Sequence, residues 1–388
     1  MRVLLVHNYY KQPGGEDVVF AGERVLLEQH GHLVLPYSVS NERVDSLSSA
    51  RLAIMTLWNS ESHAELENIV RREKPDLVHF HNTFPMISPA AYYATKAAGL
   101  PVVQTLHNYR LLCSNALLFR NDQLCEDCLG KTPPWPGLLH ACYHDSRLQT
   151  AGVVSMLTLH RWLRTWSQKV DIYIALSEFS RQKFIQGGLP SQKIMLKPNF
   201  VFPDPGVGAG DGDFALFVGR LSPEKGVDTL LEAWKRIKGQ VPLKIVGDGP
   251  LNGAVAQAAA EDPGIAWLGQ LSSQEALALM GRASFLVFPS ACYENLPLVL
   301  IEAFSRGTPV LASDLGAAAE IVAQGRTGLH FPAGDAEALA QKAHWLWEHP
   351  AELVAMRREA RVEYETKYTA ERNYEQLMRI YETALRMV

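Results

Sequence analysis

Short apolar, β-branched stretches alternate with helical patterns of hydrophobic positions along most of the chain. Because the strands of a parallel sheet are buried on both faces, such continuous apolar runs predict parallel strands. A first series of six predicted strands covers residues 3–6, 33–37, 77–80, 102–106, 172–176 and 194–196. A second series covers residues 214–218, 243–246, 265–268, 285–288, 310–312 and 329–331. Each series predicts a doubly wound α/β sheet.

A segment rich in Gly, Pro and Asp, residues 203–213, separates the two series. Because this composition cannot sustain a helix or a central strand, it predicts a linker between domains at 1–202 and 214–369. Beyond Asp335 the pattern is helical, and the last predicted helix, residues 370–388, carries an apolar stripe that must be buried. Ligands bind outside the carboxyl ends of the strands in such sheets, so we expect the functional residues in the crevice between the domains.

Composition and charge narrow the function classes. The 388 residues are 47% apolar and 20% charged, which suffices for two buried cores. A net charge of -4 without a Lys/Arg block disfavours a nucleic-acid partner. Residues 1–6 lead directly into an apolar strand without signal-peptide features, and no apolar run of 18 residues occurs. We therefore expect a cytoplasmic protein that does not span a membrane.

Two carboxylates, Glu294 and Glu302, follow a predicted strand within residues 289–307, where a helix is predicted to begin. Their spacing puts Glu294 near the start of that helix and Glu302 about two turns along it. Carboxylates at those depths can accept hydrogen bonds from vicinal sugar hydroxyls. On spacing alone, two solvated helix carboxylates are the simpler interpretation.

Two cations, Arg220 and Lys225, favour a ligand site over two solvated carboxylates. They follow the first predicted strand of the second domain, so they emerge at the same edge of the sheet as the two carboxylates. Two cations at that edge can neutralise a diphosphate. The combination predicts a nucleotide-sugar site, although a Gly-Arg turn by itself is also typical of a solvated loop.

The order and spacing of several motifs resemble glycosyltransferase family 4 of the GT-B fold. The strongest resemblance covers about residues 214–335, and a weaker one reaches the amino-terminal half through residues 13–15 and 105–107. The motifs of the stronger part are V-G-R-L at 218–221, E-K-G at 224–226, V-G-D-G-P at 246–250, the pair Glu294 and Glu302, and G-T-P-V-L-A-S-D at 307–314.

This resemblance implies two Rossmann-like domains that face each other across a cleft, with the C-terminal helix packing back on the N-terminal domain. It also implies a retaining transfer from a nucleotide-diphosphate sugar without a catalytic metal. In that reaction Arg220 and Lys225 would hold the diphosphate, Glu302 would bind the ribose, and Glu294 would contact the donor sugar.

Further donor contacts are expected where this family approaches its ligand with backbone. Asn295 stands where the family commonly has Gly, and Asn tolerates the left-handed region better than most residues. The nucleobase pocket is expected near residues 269–273. These expected donor-binding residues are Gly269, Leu271, Asn295 and Leu296.

In the first domain, Gly14 and Gly15 follow the first predicted strand and precede a helix expected to begin near Asp17. They let backbone approach a ligand closely, or they form a plain strand-to-helix turn. His107 ends the predicted strand 102–106, and the resemblance makes it a candidate for contact with the reacting sugar. A single histidine at a strand end is, however, more often structural.

Two nucleotide-binding motifs are excluded. Residues 246–253 suggest a dinucleotide fingerprint, but their glycines are spaced G-x-G-x3-G and Pro250 stands at the expected helix start. No G-x4-G-K-[ST] sequence occurs, so phosphoryl transfer by a P-loop has no support.

Four of the five cysteines lie in one long segment, residues 111–146, which is predicted to be a loop with little apolar content. Four thiolates can close a tetrahedral zinc site that would order such a loop. Free or redox-active thiols are the equal alternative, and Cys292 is expected to be a packing residue. The candidate ligands are Cys113, Cys125, Cys128 and Cys142.

The segment 148–169 is predicted to be one helix that combines apolar residues, including Trp162 and Trp166, with Arg161, Arg164 and Lys169. This composition is typical of helices that lie in a membrane interface. It fits equally a core helix whose cations reach to solvent. We hypothesise that this face approaches a lipid-linked acceptor at the inner membrane surface.

Together these features predict a metal-independent, retaining glycosyltransferase that extends a glycan or a lipid-linked glycan during cell-surface polysaccharide synthesis. The donor would be held mainly by the second domain, and the acceptor would meet the first. The alternatives are a GT-B sugar phosphorylase or synthase and a catalytically silent nucleotide-sugar-binding protein.

Overall fold

The computed structural model describes residues 1–12 and 14–387. Pro13, the first residue of the glycine-containing motif at 13–15, and Val388, the last residue of the predicted C-terminal helix, lie outside the described residues. The chain divides into two compact units. Unit 1 comprises Met1–Leu118, Cys125–Pro198 and Asn373–Val388, and unit 2 comprises Phe119–Leu124 and Asn199–Arg372. Residues 203–213 thus belong to unit 2, and the domain boundaries drawn from composition stay predictions.

The strands of the described residues follow the predicted positions closely. They are β1 (Arg2–Tyr9), β2 (Leu33–Ser40), β3 (Leu77–Phe80), β4 (Val102–Thr105), β5 (Phe119–Arg120), β6 (Gln123–Leu124), β7 (Ile172–Ala175), β8 (Ile194–Leu196), β9 (Ala215–Val218), β10 (Leu243–Val246), β11 (Ile265–Trp267), β12 (Phe285–Phe288), β13 (Val310–Ser313) and β14 (Gly328–Phe331).

The helices fill the connections between the strands and the C-terminal region. They are α1 (Gly15–Gln29), α2 (Ser49–Leu57), α3 (Ser60–Glu73), α4 (Ala90–Ala97), α5 (Trp135–Leu139), α6 (Arg147–Trp162), α7 (Thr165–Gln168), α8 (Glu178–Gln186), α9 (Val227–Ile237), α10 (Asn252–Glu261), α11 (Ser273–Arg282), α12 (Leu298–Ser305), α13 (Gly316–Ile321), α14 (Ala336–Glu348), α15 (Pro350–Lys367) and α16 (Ala370–Leu385).

Each series of six predicted strands forms one parallel sheet, which confirms the predicted fold class. The sheet of unit 1 has the order β2-β1-β3-β4-β7-β8, and the sheet of unit 2 has the order β11-β10-β9-β12-β13-β14. In both sheets the first strand lies inside and the chain winds outward in two directions. This order brings the carboxyl ends of β1, β3 and β4 together in unit 1, and those of β9, β10 and β12 together in unit 2.

The core of unit 1 joins its sheet to the C-terminal helix. Leu377, Ile380 and Tyr381 of α16 are buried at helical spacing in one cluster with residues of the strands and of α1. The strand and α1 members of that cluster are Val3, Leu5, Phe20, Leu27, Val34, Leu77, Val103, Ile172 and Ile174. The apolar stripe that the sequence shows on the last helix is therefore buried in unit 1.

The core of unit 2 forms around the buried side chain of Trp234 on α9. Its indole nitrogen donates a hydrogen bond to the carbonyl of Val241 at 2.8 Å, so the buried polar atom is satisfied. The side chains of β9, β10 and β12 and of helices α9 and α14 pack in the same cluster. Of the described helices, none has both the length and the apolar character needed to cross a bilayer.

Two predicted elements were wrong in detail. The helix expected over 148–169 is divided into α6 and α7, because Arg164 adopts the left-handed region with φ of 55°. The break lets Trp166 turn into the core at 5% exposure, whereas Trp162 is 74% exposed. The segment 111–146 is not a plain loop either, since it contains α5, the hairpin β5–β6 and the buried side chains of Leu112 and Leu118.

Candidate functional site

The polar edge of unit 2 is built on an ion pair between Lys225 and Glu294. Lys225 lies in a short 3-10 turn, Pro223–Lys225, shortly after β9, and Glu294 lies in the loop after β12. The Lys225 Nζ atom is 2.5 Å from Glu294 Oε1. The two side chains are 30% and 18% exposed, so the pair can be reached from solvent.

Glycines let the loops at this edge approach each other. Gly226 has φ of 71°, and a Cβ there would overlap the carbonyl oxygen of Pro289. Gly247 has φ of 142°, and a Cβ there would overlap the carbonyl oxygen of Gly219. Only glycine fits at both positions. The absence of a side chain there lets the loop after β9 lie directly against the loops after β10 and β12.

Ser290 supports the position of Glu294. Its hydroxyl lies 3.2 Å from Glu294 Oε1 and 3.2 Å from the carbonyl oxygen of Glu224, so it can donate to one of them at a time. The amide of Ala291 donates to the same Glu224 carbonyl at 2.9 Å. The hydroxyl of Ser313 donates to the Ser290 carbonyl at 2.6 Å. These bonds fix the loop after β12 against the loop after β9.

The charge states of the pair follow from these contacts. Burial lowers the pKa of Lys225, but Glu294 and the neighbouring acidic groups together outweigh burial and raise the pKa to about 12. Burial and the Glu294 carboxylate raise the pKa of the Cys292 thiol to about 12 as well. At neutral pH the loop therefore carries an ammonium beside a neutral thiol, as expected of a packing cysteine.

The helix expected to begin near Glu294 begins later. Helix α12 starts at Leu298 after the N-cap residue Pro297, so Glu294 lies in a loop and Glu302 is the fifth residue of the helix, about one turn along it. Pro297 explains the shift, since the residue before a proline avoids the helical region. Burial raises the pKa of the half-buried Glu302 to about 7.

The structure places the remaining predicted donor residues on the same edge of unit 2. Arg220 is exposed two residues after β9, and Leu271 is half-buried. Asn295 and Leu296 are buried, and the Leu296 carbonyl accepts a hydrogen bond from Asn199 Nδ2 at 3.3 Å. Gly269 has φ of 68°, and its carbonyl accepts from the Gly247 amide at 2.8 Å.

Gly14 and Gly15 begin helix α1 of unit 1, two residues earlier than expected. Gly14 is the N-cap residue, and its amide donates to Asp17 Oδ2 at 2.8 Å. The other oxygen of Asp17 is 2.7 Å from Nε2 of the buried His7 on β1. Asp17 thus caps the helix and anchors it to the sheet, while both glycines are exposed.

His107 is joined to a second histidine at the end of β3. Its Nε2 atom is 3.0 Å from Nδ1 of His81. Burial and the neighbouring His81 hold the pKa of His107 well below its usual range. His107 is therefore neutral at neutral pH, and its Nδ1 atom takes no part in the contact with His81.

Beneath these histidines lies a buried polar cluster that the sequence analysis missed. Lys197 Nζ is 2.5 Å from Glu23 Oε1, and both side chains are fully buried. The second oxygen of Glu23 is 3.4 Å from His81 Nε2, and His79 Nδ1 is 2.8 Å from the Tyr381 hydroxyl. The sequence did contain one signal for this cluster, because His79 and His81 interrupt the apolar pattern of β3 and the residue after it.

Two groups of described residues have possible metal-ligand atoms all within 4.8 Å of one another. One is Glu23, His79 and His81, and the other is His7, Glu16 and Asp17. In the first group the Lys197 ammonium already supplies the positive charge at Glu23. The four clustered cysteines are not one of these groups. Burial raises the pKa of the Cys128 thiol to about 12, and the neighbouring thiols of Cys113, Cys142 and Cys125 add to that rise.

A second missed residue, Glu16, lies at the polar edge of unit 1. Its carboxylate oxygens are 3.1 Å from Asn82 Nδ2 and 3.4 Å from Asn108 Nδ2. Burial and the neighbouring Asp17 raise the pKa of Glu16 to about 8, although the two amides and Arg110 oppose that rise. This carboxyl group is therefore largely protonated at neutral pH.

Comparison with known proteins identifies the family of this chain. The model described as Glycosyltransferase Family 4 matches residues 42–204, and the model described as Glycosyl transferases group 1 matches residues 213–349. A phosphatidyl-myo-inositol mannosyltransferase of Mycobacterium leprae is 32% identical over 261 residues, which cover 64% of this chain and 67% of the relative. The chain belongs to glycosyltransferase family 4.

Two further similar proteins are a curated glycosyltransferase and a solved structure. A D-rhamnosyltransferase of Pseudomonas aeruginosa is 35% identical over 161 residues, covering 40% of this chain and 42% of the relative. The chain therefore spans less than half of that relative. The Anabaena protein HepE, solved with UDP-glucose, matches 99% of both chains with a TM-score of 0.68 and 18% identity. That likeness shows the GT-B fold.

The two polar edges of this chain differ in the groups that they present. Unit 2 presents an accessible ion pair with a half-buried carboxyl group, as a binding site for a charged ligand requires. Unit 1 presents neutral hydrogen-bonding groups, His107 and Glu16, above a sealed ion pair. The edge of unit 2 therefore offers charged groups to a ligand, and the edge of unit 1 offers neutral hydrogen-bonding groups.

Proposed function

We propose that this family 4 glycosyltransferase is a retaining, metal-independent enzyme that uses a nucleotide-diphosphate sugar. It would transfer the sugar to a glycan or a lipid-linked glycan in cell-surface polysaccharide synthesis. The observation that carries the proposal is the accessible contact of 2.5 Å between Lys225 and Glu294. An ammonium that is buried on one side and open on the other can exchange part of its carboxylate contact for phosphate oxygens.

We assign each chemical part of the donor nucleotide sugar to residues at the edge of unit 2. Lys225 and Arg220 hold the diphosphate, Glu294 contacts hydroxyls of the sugar, and Glu302 accepts hydrogen bonds from the ribose. The backbone near Asn295 and Leu296 lies against the sugar, and the backbone at Gly269 and Leu271 lines the nucleobase pocket. For unit 1, we infer that Gly14 and Gly15 are ligand-binding residues and that His107 has a catalytic role.

The proposed chemistry needs no group beyond these side chains and the two substrates. The bond between the anomeric carbon and the phosphate oxygen breaks, and the electron pair leaves with the diphosphate. The acceptor hydroxyl forms the new bond on the same face of the sugar, and its proton passes to the departing phosphate oxygen. Lys225 and Arg220 stabilise the charge that develops there.

Two relatives support the donor and acceptor classes. HepE was solved with UDP-glucose, and the Mycobacterium leprae relative is named for mannosyl transfer to a phosphatidyl-myo-inositol. These substrates belong to those proteins. They favour a nucleotide-linked hexose as donor here and make a lipid-linked acceptor a reasonable class.

A panel of nucleotide sugars tests the proposal. Donor hydrolysis and transfer to glycan acceptors are measured together, with proton NMR of the first product to give the anomeric configuration. We expect one nucleotide to be preferred and the donor configuration to be kept. Sugar release that requires inorganic phosphate would instead identify a phosphorylase, and nucleotide-sugar binding without turnover would identify a silent binding protein.

A structural zinc ion held by the four cysteines of unit 1 is a separate proposal. Its support is that the thiols lie near one another in sequence and that three of them influence the pKa of Cys128. Metal analysis of the purified protein tests it. We expect one zinc per chain in the wild type and loss of that zinc in Cys125→Ser, whereas Cys292→Ser serves as the matched control.

A further inference from the structure

An apolar surface of unit 1 lies outside the residues assigned to donor or acceptor. It is formed by α2, α5 and α6, and α6 contacts both other helices. We call it the three-helix patch. Its large exposed apolar side chains are Ile54, Trp58, Trp135, Leu138, Leu139, Leu148, Trp162 and the adjoining Leu163.

Three exposed residues of α6 lie along one line of the helix. Leu148, Ser155 and Trp162 are exposed and follow one another at seven-residue intervals, which is about two helical turns. Leu148 is 72% exposed and Trp162 is 74% exposed. Both ends of α6 therefore present a large apolar side chain in the same direction.

Helix α2 packs on α6 with one side and leaves its other side open to solvent. It touches α6 where a Cβ on Gly152 would lie 3.7 Å from the Ala53 methyl group. Thr56 is the buried residue of this helix, whereas Ile54 is 67% exposed. A nine-residue helix gains little stability from its own hydrogen bonds, and the exposed apolar side chain of Ile54 is suited to a further partner.

The charges on the patch have one sign. The three helices contain no Asp or Glu, and the one acid within residues 47–58 and 131–164 is Asp145. The cations of these two segments are Arg51, Lys131, Arg147, Arg161 and Arg164. Arg161 donates to the Leu111 carbonyl, but the other four are exposed. Exposed apolar and aromatic side chains beside cations are the composition of a membrane-interface surface.

We propose that the three-helix patch docks on a lipid bilayer that contains anionic lipids, with Ile54, Leu148 and Trp162 entering the interface. The surrounding cations would pair with lipid phosphates. A second copy of the chain fits less well, because a symmetric contact would place these cations against each other. The inference deepens the proposed function, since it brings unit 1 to the surface where a lipid-linked acceptor lies.

Co-sedimentation of the full-length protein with vesicles tests the inference. One set of vesicles contains phosphatidylglycerol with phosphatidylcholine, and the other contains phosphatidylcholine alone. We expect binding to the anionic vesicles that is at least tenfold tighter and that weakens with salt. Ile54→Glu and Leu148→Glu should each weaken that binding at least tenfold, since they put a carboxylate into the interface.

The matched control is Val354→Glu, which places the same charge at a 50% exposed valine on α15 of unit 2. It should bind vesicles as the wild type does. Thermal unfolding checks that all variants fold, and the exposed positions make a large change in Tm unexpected. Equal binding of patch and control variants, or no binding by the wild type, would overturn the inference.

Two further measurements separate this inference from its alternatives. Sedimentation velocity without lipid should give the same oligomeric state for wild type and Leu148→Glu; dissociation of an oligomer by the variant would show instead that a second copy covers the patch. Donor hydrolysis in solution should be unchanged by the patch variants. The wild type could bind vesicles through the patch and yet turn over no nucleotide sugar. That result would support docking and refute the proposed function.

Discussion

Units 1 and 2 each contain a Lys-Glu ion pair with the same contact distance of 2.5 Å, but the two pairs differ in access to solvent. Lys197 and Glu23 of unit 1 are fully buried, whereas Lys225 and Glu294 of unit 2 are 30% and 18% exposed. A buried pair can do little more than hold its neighbours in place. An accessible pair can change partners, so we assign ligand binding to Lys225 and Glu294 and structural support to Lys197 and Glu23.

The largest expected effect is on the buried pair. Lys197→Met leaves the Glu23 carboxylate buried without its partner, and we expect a loss of about 3–5 kcal/mol in the free energy of unfolding. Urea unfolding measures this loss. The double variant Glu23→Leu with Lys197→Met removes both charges and should recover part of it, and a double variant less stable than the single one would contradict the assignment.

The corresponding change at the accessible pair should affect catalysis rather than stability. Lys225→Met removes a cation that faces the leaving diphosphate, and we expect kcat/KM for transfer to fall by about 10²- to 10³-fold. The loss in unfolding free energy should be no more than about 1 kcal/mol, because the pair is partly hydrated. Steady-state kinetics give kcat/KM, and urea unfolding of the same preparation gives the free energy of unfolding. A large stability loss with unchanged kinetics would reverse the comparison.

A smaller, pH-dependent effect is expected at Glu302. Its pKa of about 7 in the free protein means that the carboxylate form, which accepts ribose hydrogen bonds, predominates above pH 7. Nucleotide affinity should therefore fall up to tenfold for each pH unit below about 7. Calorimetric titrations from pH 5.5 to 8.5 measure the nucleotide affinity. In Glu302→Gln this dependence should be absent, and an unchanged pH profile would remove Glu302 from the site.

The smallest expected effect is at Ser290. Ser290→Ala removes one hydrogen bond to Glu294 without changing the charge of the pair, which corresponds to about 0.5–1.5 kcal/mol. We expect kcat/KM to fall by roughly three- to tenfold. Thr308→Val, which removes a buried hydroxyl on unit 2 that bonds to the Met280 carbonyl, is the comparison variant and should lower stability instead.

The sequence predicted the architecture well, because buried parallel strands leave a strong local signal. The twelve sheet strands and their grouping into two sheets were read from apolar runs between 3–6 and 329–331. Helix boundaries were less accurate where one residue decides them. Pro297 delays α12, and Arg164 ends α6 through a left-handed conformation that no local pattern predicts.

For the candidate site, the sequence indicated residue types but not their contacts. Arg220, Lys225, Glu294 and Glu302 were proposed from the order and spacing of their motifs, and their roles stay predictions. The direct contact of Lys225 with Glu294 joins residues 69 apart in sequence, and the bond from Ser290 to the Glu224 carbonyl joins residues 66 apart, so neither could be read from spacing. The buried cluster of Glu23, Lys197 and His81 was missed for the same reason.

The most direct test of the account is the affinity of the preferred nucleoside diphosphate for wild type and Lys225→Met, measured by calorimetric titration at pH 8, where Glu302 is ionised. Loss of a charge-assisted contact to phosphate should weaken binding by about 10- to 100-fold. Affinity equal to that of the wild type in a folded Lys225→Met protein would contradict the assignment of the donor site to the accessible ion pair of unit 2.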